Sequence, residues 1–85
     1  MKDLHIVIVS WNTQELVKKC IQSLPGACGD LKWECVVVDN GSDDGTVAMV
    51  RDKFLSDERV DLIVNDFNAG FAYACNQGAG QHQAR

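Results

Sequence analysis

The fold is decided by the stretch Cys35-Val36-Val37-Val38-Asp39-Asn40-Gly41-Ser42-Asp43-Asp44-Gly45-Thr46, in which an apolar run leads directly into an acidic turn. A continuous apolar run bounded by turn residues is typical of a strand buried on both faces, as in a parallel sheet. Asp39 then lies where the strand leaves the sheet, and open α/β folds bind ligands outside the carboxyl ends of their strands. The stretch therefore predicts a parallel α/β fold with a binding site at Asp39.

A similar strand–turn–helix unit is predicted at the N-terminus. Leu4–Val9 is expected to form the first strand, which ends at the polar turn Ser10-Trp11-Asn12-Thr13. Asn12 followed by Glu15 three residues later predicts a capping box at the start of the first helix. The pair Pro25-Gly26 is expected to end that helix.

The rest of the chain continues the alternation. A loop over 27–31 is expected to lead into a second strand at Trp33–Val38, and the β-branched residues of Val60–Val64 predict a third strand. Asn68 is the expected N-cap of a third helix. The N-cap of the second helix could be any of Ser42, Asp43 and Asp44. The apolar faces of the three helices are predicted to be Val17, Cys20, Ile21 and Leu24; Val47, Val50 and Phe54, flanked by Met49 and Leu55; and Phe71, Ala74, Cys75 and Gly78.

The order β-α-β-α-β-α predicts an α/β fold with a parallel sheet and right-handed crossovers. With the strand order 3-2-1 of a Rossmann-type sheet, the first two helices lie on one face, and the third leads toward a fourth strand beyond the chain. All three strands have the composition of strands buried on both faces. The sheet would then be incomplete and its first-strand edge uncovered, so we expect a homodimer or a longer protein.

The composition excludes several function classes. Eight basic and twelve acidic residues give a net charge of −4, which argues against a nucleic-acid or anionic-membrane surface. The longest apolar run, Ile6–Val9, is far shorter than the roughly 18–20 residues of a membrane span. The N-terminus lacks the apolar core of a secretory signal. These features predict a cytoplasmic protein with no membrane span.

The cysteines and histidines match no catalytic, zinc or redox pattern. Cys20, Cys35 and Cys75 occupy positions that suit small apolar residues, so buried, reduced thiols are expected. His5 and His82 are expected to be structural or solvated. No catalytic residue is therefore predicted in the chain.

The acidic turn fails the pattern of a calcium loop. If Asn40 is its first position, the twelfth is Arg51 where a bidentate Glu belongs, and if Asp39 is first, Asp44 replaces the required glycine. The turn after the first strand, 10–15, contains no glycine and so cannot be a dinucleotide fingerprint. Neither a metal site nor a bound cofactor is expected in this chain.

Three polar clusters, at 10–12, 39–43 and 65–68, follow the three predicted strands and should meet at one edge of the sheet. A carboxylate such as Asp39 can accept a hydrogen bond from a pyrimidine base or from ribose hydroxyls. Backbone N–H groups near Gly41 and Gly70 suit phosphate oxygens. Trp11 could stack on a base or only shield the edge. The alternative is that four of these residues are helix caps and nothing more: Asn12, Ser42, Asp43 and Asn68.

Three motifs in order resemble the family 2 glycosyltransferases of the GT-A fold, most of all their rhamnosyltransferase-type branch. The motifs are Ser10-Trp11-Asn12, the stretch 36–46, and Asn65 followed by Asn68-Ala69-Gly70-Phe71 and Asn76-Gln77-Gly78. The resemblance runs from Leu4 to about Gly80. It implies a UDP- or dTDP-sugar donor and transfer with inversion to a saccharide-type acceptor. Ala69 departs from the family, which often has Leu there.

The resemblance also implies a distribution of roles. Asp39 would hold the base, Ser10 and Asn12 would line the nucleoside pocket, and the turn 68–70 would approach the donor. The family's Asp-x-Asp motif for Mg²⁺ or Mn²⁺ and its general base would lie beyond Arg85. The expected substrate-binding residues are Ser10, Trp11, Asn12, Asp39, Asn40, Gly41, Ser42, Asn68 and Gly70.

On this interpretation, residues 1–85 form one nucleotide-sugar-binding domain, the truncated N-terminal half of a GT-A domain, inactive alone. Two alternatives stay open: a standalone α/β module that binds a ligand or itself without catalysis, and a purely structural piece. Mg²⁺ or Mn²⁺ is expected only in a full-length member of the family.

Overall fold

A computed structural model describes residues 3–66, 68 and 70–83, without the side chains of 71, 72 and 81–83. Strands and helices alternate throughout, as predicted. The strands are β1 (Leu4–Ser10), β2 (Trp33–Asp39) and β3 (Val60–Val64). The helices are α1 (Gln14–Cys28), α2 (Thr46–Lys53) and α3 (Phe71–Gln83).

The strands form one parallel sheet in the order β1-β2-β3, with β2 in the centre. Ser10 of β1 pairs with Asp39 of β2, which in turn pairs with Val64 of β3. The strands therefore end level with one another. We call the strand ends Ser10 and Asp39, together with the described residues that follow the strands, 11–13, 40–45, 65–66, 68 and 70, the carboxyl edge.

Helices cover both faces of the sheet, which gives three layers and confirms the α/β, Rossmann-like prediction. Helices α1 and α2 pack on one face, against a core that includes Cys35 and Val37 of β2. Helix α3 packs on the other face across β1 and β2, with Ala74 against Val36 and Val38. Alternate residues of β2 thus enter different cores, because successive strand side chains point to opposite faces.

Only β2 is buried along its whole length. Side chains of β1 and β3 are mostly half-buried, so the prediction that all three strands are buried on both faces is wrong for the outer two. An apolar run indicates burial but cannot tell a central strand from a neighbour that has a partner on one side only. In the described residues β1 pairs with β2 alone.

Helix α1 departs from the sequence prediction at both ends. It continues through Pro25 to Cys28, and Gly29 is its C-cap, so residues 27 and 28 are not loop. Cys28 extends the apolar face by one turn and is buried, which favours continuing the helix despite the missing hydrogen bond at proline. The predicted capping box is absent, since the N-cap is Thr13 and it makes no side-chain cap bond.

The apolar faces of the helices follow the prediction with one exception. Val17 and Ile21 are buried and Leu24 is partly buried, whereas Cys20 is exposed. In α2, Val50 is buried, Val47 is half-buried, and Phe54 packs against the same core, as do the flanking residues Met49 and Leu55. In α3, Ala74 and Gly78 are buried and Cys75 is half-buried, while the prediction for Phe71 concerns a side chain outside those described.

The N-caps of α2 and α3 are glycines rather than the predicted polar residues. Gly45, with φ 89°, precedes α2, and no side chain caps it. The Asp44 carboxylate instead accepts a hydrogen bond from the Thr46 N–H, inside the helix. Gly70, with φ 90°, precedes α3, and its N–H donates to Asn68 Oδ1 at 3.0 Å. Asn68 thus supports the start of α3 from two residues before it.

All four cysteines are free thiols. Burial, with a smaller contribution from Cys20, raises the pKa of Cys35 to about 12. His5 is structural: its Nε2 lies 2.9 Å from the Gly78 carbonyl oxygen and its Nδ1 lies 3.2 Å from Glu34. The prediction for His82 falls on a side chain outside those described. No helix in the described part of the chain combines the length and apolar character needed to cross a membrane.

Candidate functional site

Asp39 lies at the centre of the carboxyl edge and is 1% exposed. Its Oδ1 accepts hydrogen bonds from the Ser10 hydroxyl at 2.8 Å and the Ser42 hydroxyl at 2.6 Å, and its Oδ2 accepts the Ser42 N–H at 2.8 Å. A buried carboxylate is costly unless it is hydrogen-bonded. These bonds therefore offset the cost of burying the carboxylate, and they tie the turns after β1 and β2 together.

The two turns are bonded to each other again beyond Asp39. The Asn12 N–H donates to Ser42 Oγ at 2.8 Å, and Asn12 Oδ1 accepts the Asp43 N–H at 2.9 Å. Asn12 adopts φ 53°, which asparagine tolerates better than most residues. The interpretation of Asn12 and Ser42 as simple helix caps is therefore wrong, because both side chains bond across the edge to residues about thirty positions away.

Asp44 continues the same set of bonds toward α1. Its Oδ2 accepts the Gln14 N–H at 3.1 Å, and its Oδ1 accepts the Thr46 hydroxyl and N–H. The hydrogen bond from the Thr46 hydroxyl is the largest cause that lowers the pKa of Asp44 below its ordinary value. The carboxylates of Asp39 and Asp44 thus bond to neighbouring protein groups. Among the described residues, no three His, Cys, Asp or Glu side chains converge as metal ligands.

A second network lies on the β3 side of the edge and consists of side-chain amides. Asn65 Nδ2 donates to Asn40 Oδ1 at 2.9 Å and to Gln77 Oε1 at 2.8 Å, and Gln77 Nε2 donates to Asn65 Oδ1 at 3.0 Å. Asn40 Nδ2 makes a longer contact, 3.4 Å, to the Gly70 carbonyl. This network joins β2, β3 and α3. The sequence singled out Asn65 and Gln77 only as parts of motifs and assigned neither a role.

The structure brings most of the predicted site residues together. Ser10, Asp39 and Asn40 are buried at the ends of β1 and β2. Trp11 stands 54% exposed beside them, and Gly41, with φ 83°, turns the chain after Asn40. The remaining predicted residues lie in the bonding networks just described: Asn12, Ser42, Asn68 and Gly70.

An open cleft of about 390 Å³ lies at the start of α1, beside the hydrogen-bonded turns that follow β1 and β2. The sequence did not predict it. The one signal that could have found it is Leu16, which falls off the apolar face of α1 and is 66% exposed. The cleft is lined by Asn12, Thr13, Gln14, Glu15, Leu16 and Asp44.

Fold and edge together define an open parallel α/β domain whose polar residues are gathered at the carboxyl ends of its strands, where such folds bind ligands. Residues 5–84 match the family described as glycosyl transferase family 2. The chain belongs to the family 2 glycosyltransferases, which confirms the family resemblance found in its motifs.

Two curated relatives carry glycosyltransferase names. The chain is 30% identical over 79 residues to "Glycosyltransferase AglE" of Haloferax volcanii, a match that covers 92% of this chain and 26% of the relative. It is 33% identical over 72 residues to "Uncharacterized glycosyltransferase YfnE" of Bacillus subtilis, which covers 85% of this chain and 18% of the relative. The chain thus spans about a quarter or less of these relatives' lengths.

Proposed function

We propose that this chain is the donor-binding part of an inverting glycosyltransferase and that its carboxyl edge binds a nucleotide-diphospho-sugar, UDP- or dTDP-linked. Donors of the second kind would suit a rhamnosyltransferase-type enzyme. The observation that carries the proposal is the buried Asp39 carboxylate at the end of the central strand, oriented by Ser10 and Ser42. It stands at the crevice where open parallel sheets take their ligands, in a chain of this family.

The proposed nucleoside pocket is built on Asp39. Its Oδ2 accepts one hydrogen bond among the described residues, from the Ser42 N–H, and a carboxylate oxygen can accept two. A pyrimidine N–H or a ribose hydroxyl would occupy the remaining position. Because Asp39 is almost fully buried, the ligand must enter by displacing part of the turn 40–43. Trp11, exposed beside the pocket, offers a ring on which the base can stack.

The proposed diphosphate position lies near Gly70, before α3. The Gly70 N–H is directed at an acceptor oxygen, Asn68 Oδ1, and helix starts favour anions. The diphosphate leaving group of such a transfer is stabilised by a divalent cation. We assign the Mg²⁺ or Mn²⁺ ligands and the general base to other parts of a full-length enzyme, so this chain alone is proposed to bind donor without transferring sugar.

The test is a titration of UDP and dTDP into the isotope-labelled chain, followed by NMR with and without Mn²⁺. We compare the unaltered chain with Asp39→Asn and with Asp52→Asn, a matched change of the same residue type on the exposed side of α2, outside the carboxyl edge. Binding in the millimolar range or tighter, weakened at least tenfold in Asp39→Asn and unchanged in Asp52→Asn, is the expected result. No shift with either nucleotide would refute donor binding by this chain.

A second candidate function, self-association without catalysis, is favoured by the outer edge of β1. In the described part of the chain β1 pairs only with β2, and an unpaired strand edge can pair with another chain. Sedimentation over a concentration series measures this directly. A dimer whose β1 amides become protected from hydrogen exchange would support the second candidate, and a monomer throughout would exclude it.

A further inference from the structure

We infer that Gln77 is a positioning residue of the donor site, acting through a paired side-chain amide on Asn65. This inference rests on the proposed function. The two amides face each other: Asn65 Nδ2 donates to Gln77 Oε1 at 2.8 Å, and Gln77 Nε2 donates to Asn65 Oδ1 at 3.0 Å. Each side chain is both a donor and an acceptor in the pair. Two primary amides can form these bonds, but the pair cannot form if a carboxylate or a hydrocarbon side chain replaces one amide.

The pair closes the turn that leads from β3 into α3. Asn65 is the first residue after β3, whereas Gln77 lies in the second turn of α3, so their bonds bridge the intervening residues. The second hydrogen of Asn65 Nδ2 goes to Asn40 Oδ1 at 2.9 Å, and Asn40 Nδ2 reaches the Gly70 carbonyl at 3.4 Å. A continuous path of hydrogen bonds thus runs from Gln77 through Asn65 to Asn40, the neighbour of Asp39, and on to Gly70 at the proposed diphosphate position.

The position of the pair separates it from the contacts that dock α3. The helix is already packed on the sheet through Ala74 and Gly78, against Val7 and Val36. The amide pair is part-buried and lies at the carboxyl edge, one residue beyond the end of β3. Its loss should therefore leave α3 docked and allow Asn65, Asn68 and Gly70 to move, which would displace Gly70 from the diphosphate.

The substitution Gln77→Glu gives a readout that distinguishes positioning from general stability. When ionised, the introduced carboxyl can accept from Asn65 Nδ2 but repels Asn65 Oδ1, so the pair is broken. When protonated, it donates to Asn65 Oδ1 as the glutamine does, and the pair re-forms. Because the neutral form makes the additional bond, the pKa of the introduced carboxyl should lie above the ordinary value of about 4.3. The defect should therefore be present at neutral pH and disappear on acidification.

The experiment measures UDP affinity and the Asn65 side-chain amide resonances by NMR, at neutral pH and near pH 4.5, for four forms of the 85-residue chain. They are the unaltered chain, Gln77→Glu, Gln77→Met, and Gln22→Glu as a charge-matched control on the exposed side of α1. The affinity of each variant is expressed relative to that of the unaltered chain at the same pH. This ratio cancels the effects on affinity of protonating the nucleotide and the other carboxyls.

At neutral pH we expect Gln77→Glu and Gln77→Met to bind UDP about 5- to 30-fold more weakly, the loss that one or two net hydrogen bonds produce. Near pH 4.5 the affinity and the Asn65 resonances of Gln77→Glu should return toward those of the unaltered chain, and those of Gln77→Met should not. Gln22→Glu should match the unaltered chain at both pH values.

The outcomes separate this inference from the proposed function. If the unaltered chain binds UDP and both Gln77 variants bind equally well, positioning by Gln77 is wrong and donor binding stands. The inference that Gln77 acts through a paired amide is also wrong if UDP affinity falls equally in both variants at both pH values, because the affinity of Gln77→Glu then shows no recovery near pH 4.5. If the unaltered chain does not bind UDP, the donor site and its positioning residue fall together.

Discussion

Replacing Gly78 with alanine tests how closely α3 packs on the sheet. A Cβ built at Gly78 would lie 2.5 Å and 2.9 Å from the two methyl carbons of Val7 and 3.1 Å from Cγ1 of Val36. Carbon atoms in contact prefer about 3.5–4.0 Å, so the new methyl needs roughly 1 Å that the structure does not have. Valine is restricted about χ1 and cannot easily turn aside, so the helix itself must shift.

The magnitude follows from two opposing effects. Overpacking a core typically costs about 1–3 kcal/mol in the free energy of unfolding, whereas alanine in place of glycine within a helix contributes up to about 1 kcal/mol. Gly80→Ala is the matched control, since it lies in the same helix and a Cβ there meets nothing within 4 Å. We therefore expect Gly78→Ala to be less stable than Gly80→Ala by about 1–3 kcal/mol.

Urea unfolding followed by far-UV circular dichroism measures this difference, provided the dependence on urea is the same for both variants. The methyl resonances of Val7 and Val36 should also move in Gly78→Ala and stay in place in Gly80→Ala. Equal stability of the two variants, within about 0.5 kcal/mol, would refute close packing of α3 on this face. It would also weaken the argument that Ala74 and Gly78, rather than Gln77, dock the helix.

Two further predictions concern the carboxyl edge and α1. The hydrogen bond from Thr46 lowers the pKa of Asp44, so ionised Asp44 stabilises the fold above its unfolded pKa of about 3.9, and this stabilisation is lost as the pH falls through the lower folded pKa. Asp44→Asn should therefore reduce the pH dependence of the free energy of unfolding below about pH 4 in urea titrations. An unchanged pH dependence would contradict this prediction. Pro25 lies exposed inside α1, so Pro25→Ala should restore a helical hydrogen bond and raise the free energy of unfolding by about 1–3 kcal/mol. A free energy of unfolding below that of the unaltered chain would show that proline is favourable at this position.

Family membership indicates the class of protein, whereas the hydrogen bonds at Asp39 describe the geometry of the candidate site. The match over residues 5–84 places the chain among family 2 glycosyltransferases. Asp39 already accepts three hydrogen bonds from Ser10 and Ser42. The proposed sugar-nucleotide donor would therefore share this carboxylate with both serines.

Local patterns in the sequence determined the element order, the parallel sheet, the bounds of β3 and the position of Asp39. These features depend on residues that are near each other in the chain: a run of valines, a turn rich in Asp and Gly, and apolar residues at helical spacing. Physical chemistry links such patterns directly to backbone conformation, because side chains alternate along a strand and recur every 3.6 residues in a helix. The edge of the sheet at which the candidate site lies follows from the topology alone.

Only the tertiary structure decided which partner each polar side chain takes. Asn12 has the spacing of a local cap, yet its side chain bonds to the turn after β2, and Gln77 finds Asn65 across the turn between β3 and α3. Cys20 and Cys28 lie on the same helix, but only Cys28 reaches the core, because α1 continues through Pro25. A local pattern specifies the polarity of a position, whereas its hydrogen-bond partner and its burial depend on segments that only folding brings beside it.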